Sequence, residues 1–330
     1  MTLAAPGVPT GAPGAYRTEP LATTPGLGGL YARGAASSGT IAARRVLPGE
    51  TPEPALPAVA LRVEDVPTGP EVAARLAAYQ RLVGERVGDA LPAGFLHVLA
   101  FPVATALMVR GDFPLPLLGM VHVANAVTLA RPVALGQLLT VDAWAQDLRP
   151  HRRGVTVDLV TEVRADGEGA YRGVSTYLAR GVSLEATGTD GAEGTAGAHD
   201  AQEPAGSRPG FVPPLPTGRW RLPAGTGRAY AAVSGDRNPI HLSALSAKAF
   251  GFPRAVAHGM YTAARALAEV GTARGAAYDW TVRFAHPVLL PGTVDVAITP
   301  AADGAGDGHE YVGWDAWRAR RHFAGTVVPR

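Results

Sequence analysis

Asp236 and His241 stand five residues apart in the stretch YAAVSGDRNPIH, residues 230–241, and His258 follows with Gly259 and Met260 behind it. A carboxylate and an imidazole brought to one place can grip a water or a hydroxyl between them and move its proton, which is general acid/base chemistry. Asn238-Pro239-Ile240-His241 reads as a helix start, because Asn accepts from exposed backbone N–H groups at a cap and Pro suits the first helical position. His241 then lies in the first turn, where the helix dipole disfavours imidazolium, so a neutral ring able to accept a proton is expected. Asp236 lies just outside that helix, held by a turn at Gly235.

An apolar-periodic run opens at Gly259. If a helix begins there, its first backbone N–H has no partner within the helix and no side chain in front of it. Such a donor stabilises negative charge developing on a carbonyl oxygen, an effect worth roughly 3–4 kcal/mol. Acid, base and oxyanion donor together suit chemistry at the carbons next to an activated carbonyl. Removing an α-proton makes an enolate-like oxygen, and a β-hydroxyl must leave protonated; which of Asp236 and His241 takes the α-proton is open at this stage.

Each of these residues also has a plainer reading. Asp236 or His241 alone would suit a capped turn with a surface histidine; the pair at this spacing favours the catalytic reading. Asn125 and Asn238 are the only asparagines, which adds weight to the one at the cap. His258 either hydrogen-bonds within the site or satisfies the core. A metal site on His241 and His258 is not expected, since no third ligand stands at the usual spacing. Phe252 and Met260 are candidates to line a substrate channel, against the commoner reading of apolar residues beside a helix as core. His97, His122 and His286 read as packing or turn residues. Arg110-Gly111-Asp112 reads as a helix end, and His151-Arg152-Arg153-Gly154 as a solvated hairpin turn.

The elements that must position the site follow from pattern. Residues 1–24 are Pro, Gly, Ala and Thr without a period, which predicts disorder. Leu27, Leu30 and Tyr31 could dock, but the prolines at 48, 52, 54 and 57 predict an extended lead-in up to about residue 60. A strand is predicted around Val63, a helix from Pro70, and a buried helix starting near Pro102 within the apolar run 94–110 and closed by Gly111. Strands are predicted over 120–130, 137–149, 154–165 and 170–181. Residues 183–213 hold almost no large apolar side chain and predict a flexible linker. After it the order recurs: a strand at 218–222, a helical piece from Gly227, the motif, a helix from Gly259 to Val270, and strands over 278–287, 292–299, 309–315 and 316–328. VTLARPVALGQLLTVDA (127–143) and VRFAHPVLLPGTVDVAI (282–298) echo each other. The chain therefore reads as an α+β protein of two repeats, residues 61–182 and 214–330, each a helix wrapped by an antiparallel sheet.

Composition excludes several functions. The 330 residues carry a formal net charge of only +2, so no strong field calls for nucleic acid or an anionic membrane. Lys248 is the sole lysine among 30 basic residues, a coding bias rather than a binding patch. Cysteine is absent, which removes disulfides, thiolate nucleophiles and Cys-based zinc sites. No run reaches the roughly 18 apolar residues of a membrane span, and the first residues lack the pattern of a secretory signal. A soluble, cytoplasmic protein is the expectation.

YAAVSGDRNPIH followed by AFGFPRAVAHGM resembles the signature of the MaoC-like, or type 2 (R)-specific, enoyl-CoA hydratases, which are hot-dog proteins. The resemblance implies Asp236 and His241 as the catalytic pair, the Gly259 N–H as oxyanion donor, and Ser234 and Asn238 as supporting residues. The first half, with LPLLGMVHVANAVTLARPV and LRPHRRGVTVDLVTEV, resembles the degenerate first repeat of double-hot-dog 3-hydroxyacyl-thioester dehydratases of mycobacterial type. It lacks any Gly-Asp-x-Asn-Pro-x-His and should carry no second active site; by the resemblance it makes room for a longer acyl chain. What is implied is reversible dehydration of (R)-3-hydroxyacyl thioesters of CoA or acyl carrier protein, in fatty acid metabolism, with no metal or redox cofactor, by a monomer or homodimer. A non-catalytic acyl-thioester binder and a hot-dog thioesterase are the alternatives.

Overall fold

Two runs of the chain fold into the same order of elements. The structure, a computed structural model, describes residues 3–35, 54–182, 184, 211–301 and 307–330. The predicted linker over 183–213 thus lies almost wholly outside the described residues, as does most of the lead-in between 36 and 53. In the first repeat, β2 (Val59–Pro67) leads into helices α2 (Pro70–Val83) and α3 (Ala93–Met108). Strands β3 (Met120–Leu129), β4 (Leu138–His151), β5 (Gly154–Ala165) and β6 (Glu168–Arg180) follow. In the second, β7 (Gly218–Leu222) leads into α4 (Thr226–Ser234), α5 (Pro239–Leu242), α6 (Ala244–Ala249) and α7 (Gly259–Val270). Strands β8 (Tyr278–Phe284), β9 (Gly292–Pro300), β10 (His309–Asp315) and β11 (Arg320–Pro329) complete it.

The sheet order shows the repeat directly. One half runs β2-β4-β5-β6-β3 and the other, read from its own edge, β7-β9-β10-β11-β8. β3 pairs antiparallel with β8, Val127 opposite Trp280, so the halves share one continuous sheet and one core. The echo at 127–143 and 282–298 is the corner from β3 to β4 and from β8 to β9. It reaches the side chains: Asp142 on β4 is held by Arg62 of β2 at 2.7 Å, and Asp295 on β9 by Arg219 of β7 at 2.5 Å. The architecture is an α+β double hot dog.

α3 begins at Ala93, well before the start expected near Pro102, and Pro102 lies inside it. An interior proline costs about 3 kcal/mol, but almost every residue of α3 is buried, and that burial offsets the loss. α3 and α7 approach closely at Gly94, where an added Cβ would stand 3.3 Å from Ala264 and 2.2 Å from the Tyr79 hydroxyl. β11 starts at Arg320 rather than near 316, because Asp315 Oδ1 accepts from the N–H groups of Trp317 and Arg318 and holds a turn there.

The N-terminal stretch departs most from its composition. Instead of an unstructured tail, it wraps the edge of the sheet. On the outer face, Ala12 and Tyr16 cover fully buried Trp144, and the N–H groups of Thr10 and Gly11 donate to the Glu162 carboxylate at 2.9 and 2.8 Å. At the edge, β1 (Arg17–Pro20) pairs parallel with β2. A helical segment over residues 27–35, α1, then turns inward with Leu27 and Leu30 buried. Leaving Trp144 and a buried carboxylate uncovered would expose apolar area and strand a charge, which is the physical reason the segment docks.

Candidate active site

The loop carrying the motif is built by local bonds. α4 ends on Gly235, whose φ of +77° suits glycine, and whose N–H donates to the Ala231 carbonyl. The Ser234 hydroxyl donates to the Tyr230 carbonyl at 2.8 Å and accepts from the Asp236 N–H at 3.1 Å. Asp236 Oδ1 accepts from the Asn238 N–H at 3.1 Å, and Asn238 caps α5 by accepting from Ile240. Pro239 takes the first helical position, as expected. Gly227 lets α4 pass close behind His241: a Cβ there would fall 2.0 Å from the His241 carbonyl oxygen. In the first repeat only residues 84–92 join α2 to α3, where 235–258 join α4 to α7, so that half has no loop to carry such a pair.

His241 Nδ1 donates to the Val256 carbonyl at 2.7 Å, which fixes the tautomer and leaves Nε2 as the atom with a free lone pair. Burial pushes the His241 pKa below 6.5, against the pull of Asp236 and of the Val256 bond. The neutral ring therefore owes its state to burial rather than to a helix dipole, since α5 is a single turn of four residues. His258 is buried and hydrogen-bonds within the motif. Its Nε2 donates to the Asp236 backbone carbonyl at 3.0 Å, and its ring stacks on His241 with centroids 3.7 Å apart. Burial, with His241 adding to it, lowers His258 to about 3. Burial also resists ionisation of Asp236. The neighbouring His258 and His241, a hydrogen bond from the Tyr31 hydroxyl and one from the Asn238 N–H together outweigh it and hold the carboxyl below its ordinary range.

Gly259 is the first residue of α7, with His258 at the cap. Its N–H has no hydrogen-bond partner among the described residues. A Cβ at Gly259 would lie 2.9 Å from the Phe284 ring, so only glycine lets the helix end sit against that ring. Asp236, His241 and His258 offer ligand-type atoms within 4.8 Å of one another, a third ligand that sequence spacing does not reveal. Their arrangement suits hydrogen bonding better than ligation. Rings stacked at 25° aim their in-plane lone pairs side by side, and His258 Nε2 is engaged with a carbonyl.

Two further candidates from the sequence have these surroundings. Met260 packs into the core, and Phe252 sits half-buried in the turn after α6, its N–H bonded to Ala247. Other residues come to the site unannounced. Tyr31 of α1 donates to Asp236 Oδ1. From the first repeat, His97, His122 and Tyr177 lie close enough to feel the Asp236 charge. His122 stacks on Tyr177 at 4.7 Å and meets the edge of Phe284 at 5.4 Å. Burial lowers His97 to about 4 and His122 to about 3, so this wall is polar and uncharged. The i, i+3, i+4 spacing of Leu27, Leu30 and Tyr31 was the one sequence signal for the first of these; nothing local marks the others.

Comparison with known proteins bears on the family and the fold. The MaoC like domain family matches residues 200–312. The chain is 37% identical over 260 residues to 3-hydroxyacyl-thioester dehydratase X of Mycobacterium tuberculosis, covering 79% of this chain and 84% of that one. A crystal structure of HtdX from the same organism superposes with a TM-score of 0.68 at 33% identity, covering 82% of this chain and 100% of that one. A shorter match, 41% over 76 residues, links 22% of the chain to 48% of the 3-hydroxybutyryl-CoA dehydratase of Methylorubrum extorquens. Motif, double-hot-dog fold and these likenesses together make the chain a member of the MaoC-like dehydratase family.

Proposed function

We propose that this protein catalyses the reversible dehydration of (R)-3-hydroxyacyl thioesters to trans-2-enoyl thioesters and water. The observation that carries the reading is that, among the described residues, His241 Nε2, Asp236 Oδ2 and the N–H of Gly259, the residue after His258, make no hydrogen bond. Of the two, we assign the α-proton to the imidazole, whose ordinary pKa is the higher and whose Nε2 is left unengaged by the Val256 bond. His241 Nε2 therefore takes the α-proton while the Gly259 N–H receives the charge that builds on the thioester oxygen. Asp236 Oδ2 holds the β-hydroxyl, which collects the proton from His241 as its C–O bond breaks and leaves as water. The α C–H and β C–O bonds are lost, one C=C bond is formed, and both side chains return to their starting states.

An anionic carrier fits the surroundings. Residues 255–257 form the strand segment that supplies the Val256 carbonyl to His241, and they pair with 288–290 through Ala257–Val288 and Leu290–Ala255 bonds. Val288 and Leu289 of that pairing also line an open groove of about 870 Å³ that carries Arg221, Arg254, Arg318 and Arg320 with Asp315. The phosphates of CoA or of a carrier-linked pantetheine suit such a surface. Among the described residues, no helix is long and apolar enough to cross a membrane.

The test is hydration of trans-2-enoyl-CoA of several chain lengths, followed by loss of the conjugated thioester absorbance. Wild type should turn over, and Asp236→Asn and His241→Gln, shown folded by circular dichroism, should lose a factor on the order of 10² to 10⁴. An inactive wild type on CoA-linked and carrier-linked substrates alike would leave only a binding role. Activity that survives both substitutions would place the chemistry elsewhere.

A further inference from the structure

Asp236 has two oxygens, and they are not equivalent. Oδ1 accepts from the Asn238 N–H and, through a short bond, from the Tyr31 hydroxyl; Oδ2 is 3.7 Å from His258 Nε2 and has no closer donor among the described residues. Tyr31 lies 205 residues away in the chain, on the segment that wraps the sheet edge, outside both repeats. We infer that Tyr31 is a positioning residue of the active site, which saturates Asp236 Oδ1 so that the carboxylate presents Oδ2 alone to the substrate.

The anchoring of Tyr31 is more than a single contact. Leu30 beside it is completely buried, and Leu27 packs on Gly235, where even an added Cβ would come within 2.9 Å of the leucine methyl. Just upstream, Glu19 of β1 receives Arg110 at 2.6 Å, tying the segment to the end of α3. α1 therefore rests on the very turn that presents Asp236. Burial raises the Tyr31 phenol far above its ordinary range, with Asp236 reinforcing the effect, so the hydroxyl stays a donor at any working pH.

The consequence for pH is signed. The other titratable groups facing Asp236 are His241 on α5, His258 at the α7 cap, Tyr230 on α4, and His97, His122 and Tyr177 of the first repeat. Burial is the largest influence on every one of these six and disfavours its charged form. The Tyr31 hydrogen bond favours the ionised carboxylate, so its removal must move the Asp236 titration upward.

The inference rests on the dehydratase reading, and Tyr31→Phe tests it because only one oxygen is lost. Measured beside wild type on the same enoyl thioester, the variant should lose about ten- to a hundredfold in kcat, the usual weight of a hydrogen bond to a charged group. KM should stay nearly unchanged. Independently of turnover, the carboxyl carbon of Asp236 in ¹³C-aspartate-labelled protein should titrate at higher pH in the variant. That signal reports on Tyr31 even if wild type proves inert, which would sink the reaction but not this contact. Wild-type kcat and carboxyl titration in Tyr31→Phe would overturn the inference; so would a change confined to KM, which marks a residue that only lines the site.

Discussion

The His241 ring is oriented by a single 2.7 Å bond from its Nδ1 to the Val256 carbonyl, and Val256 belongs to the segment that leads directly into His258 and Gly259. The proposed base, its stacking partner and the proposed oxyanion donor are therefore set by one short stretch of backbone. If that stretch shifts, all three shift together.

Acid conditions are the first place where this shows. The proposed mechanism needs Asp236 ionised and His241 neutral. Both are favoured above their folded-state pKa values, and both values lie below the ordinary ones of 3.8 and 6.5. The acid limb of the kcat/KM profile should accordingly be centred below pH 6.5. An acid limb centred at or above 6.5 would show that the ring is not held neutral by burial.

Gly259→Ala should keep the helix but push its first turn off the Phe284 ring, which a methyl would approach to 2.9 Å. Misplacing an oxyanion donor is expected to reduce kcat by roughly 10² to 10³. The double variant with Phe284→Leu makes room for the methyl and should recover part of that loss. Strict additivity of the two substitutions would argue that Gly259 acts in some other way.

Glu162 is completely buried on the outer face and receives the N–H groups of Thr10 and Gly11 together with Arg172 at 2.6 Å. Glu162→Ala strands the arginine and releases two amides. A loss of about 3 kcal/mol is expected in urea unfolding, with faster hydrogen exchange at residues 10 and 11. Unchanged exchange there would mean that the segment is held by β1 and α1 alone.

Chelation offers a simple check on the histidine pair. Because His241 and His258 are stacked and His258 is bonded to the Asp236 carbonyl, turnover should survive exhaustive treatment with EDTA. Loss of activity that added zinc restores would show that Asp236, His241 and His258 do ligate an ion.

Much of this molecule was legible before folding. The Gly235 turn, the Asn238-Pro239 cap, the helix from Gly259 and the alternating strands are governed by neighbours a few residues apart, so their signals are local. The repeat was visible because both halves must turn the same corner between a strand ending in an apolar run and one carrying a buried Asp, Asp142 or Asp295. Pro102 misled, since a local penalty was overridden by burial that depends on the whole sheet. The N-terminal segment misled for the same reason. Its composition cannot sustain a fold alone, yet it docks where Trp144, Glu162 and Asp236 wait for partners on distant strands and turns. The tertiary structure alone decided that His241 is neutral through burial, that His258 stacks on it, and that Tyr31 closes one side of Asp236. Each depends on groups far apart in sequence being brought out of water together, and no spacing along the chain encodes that.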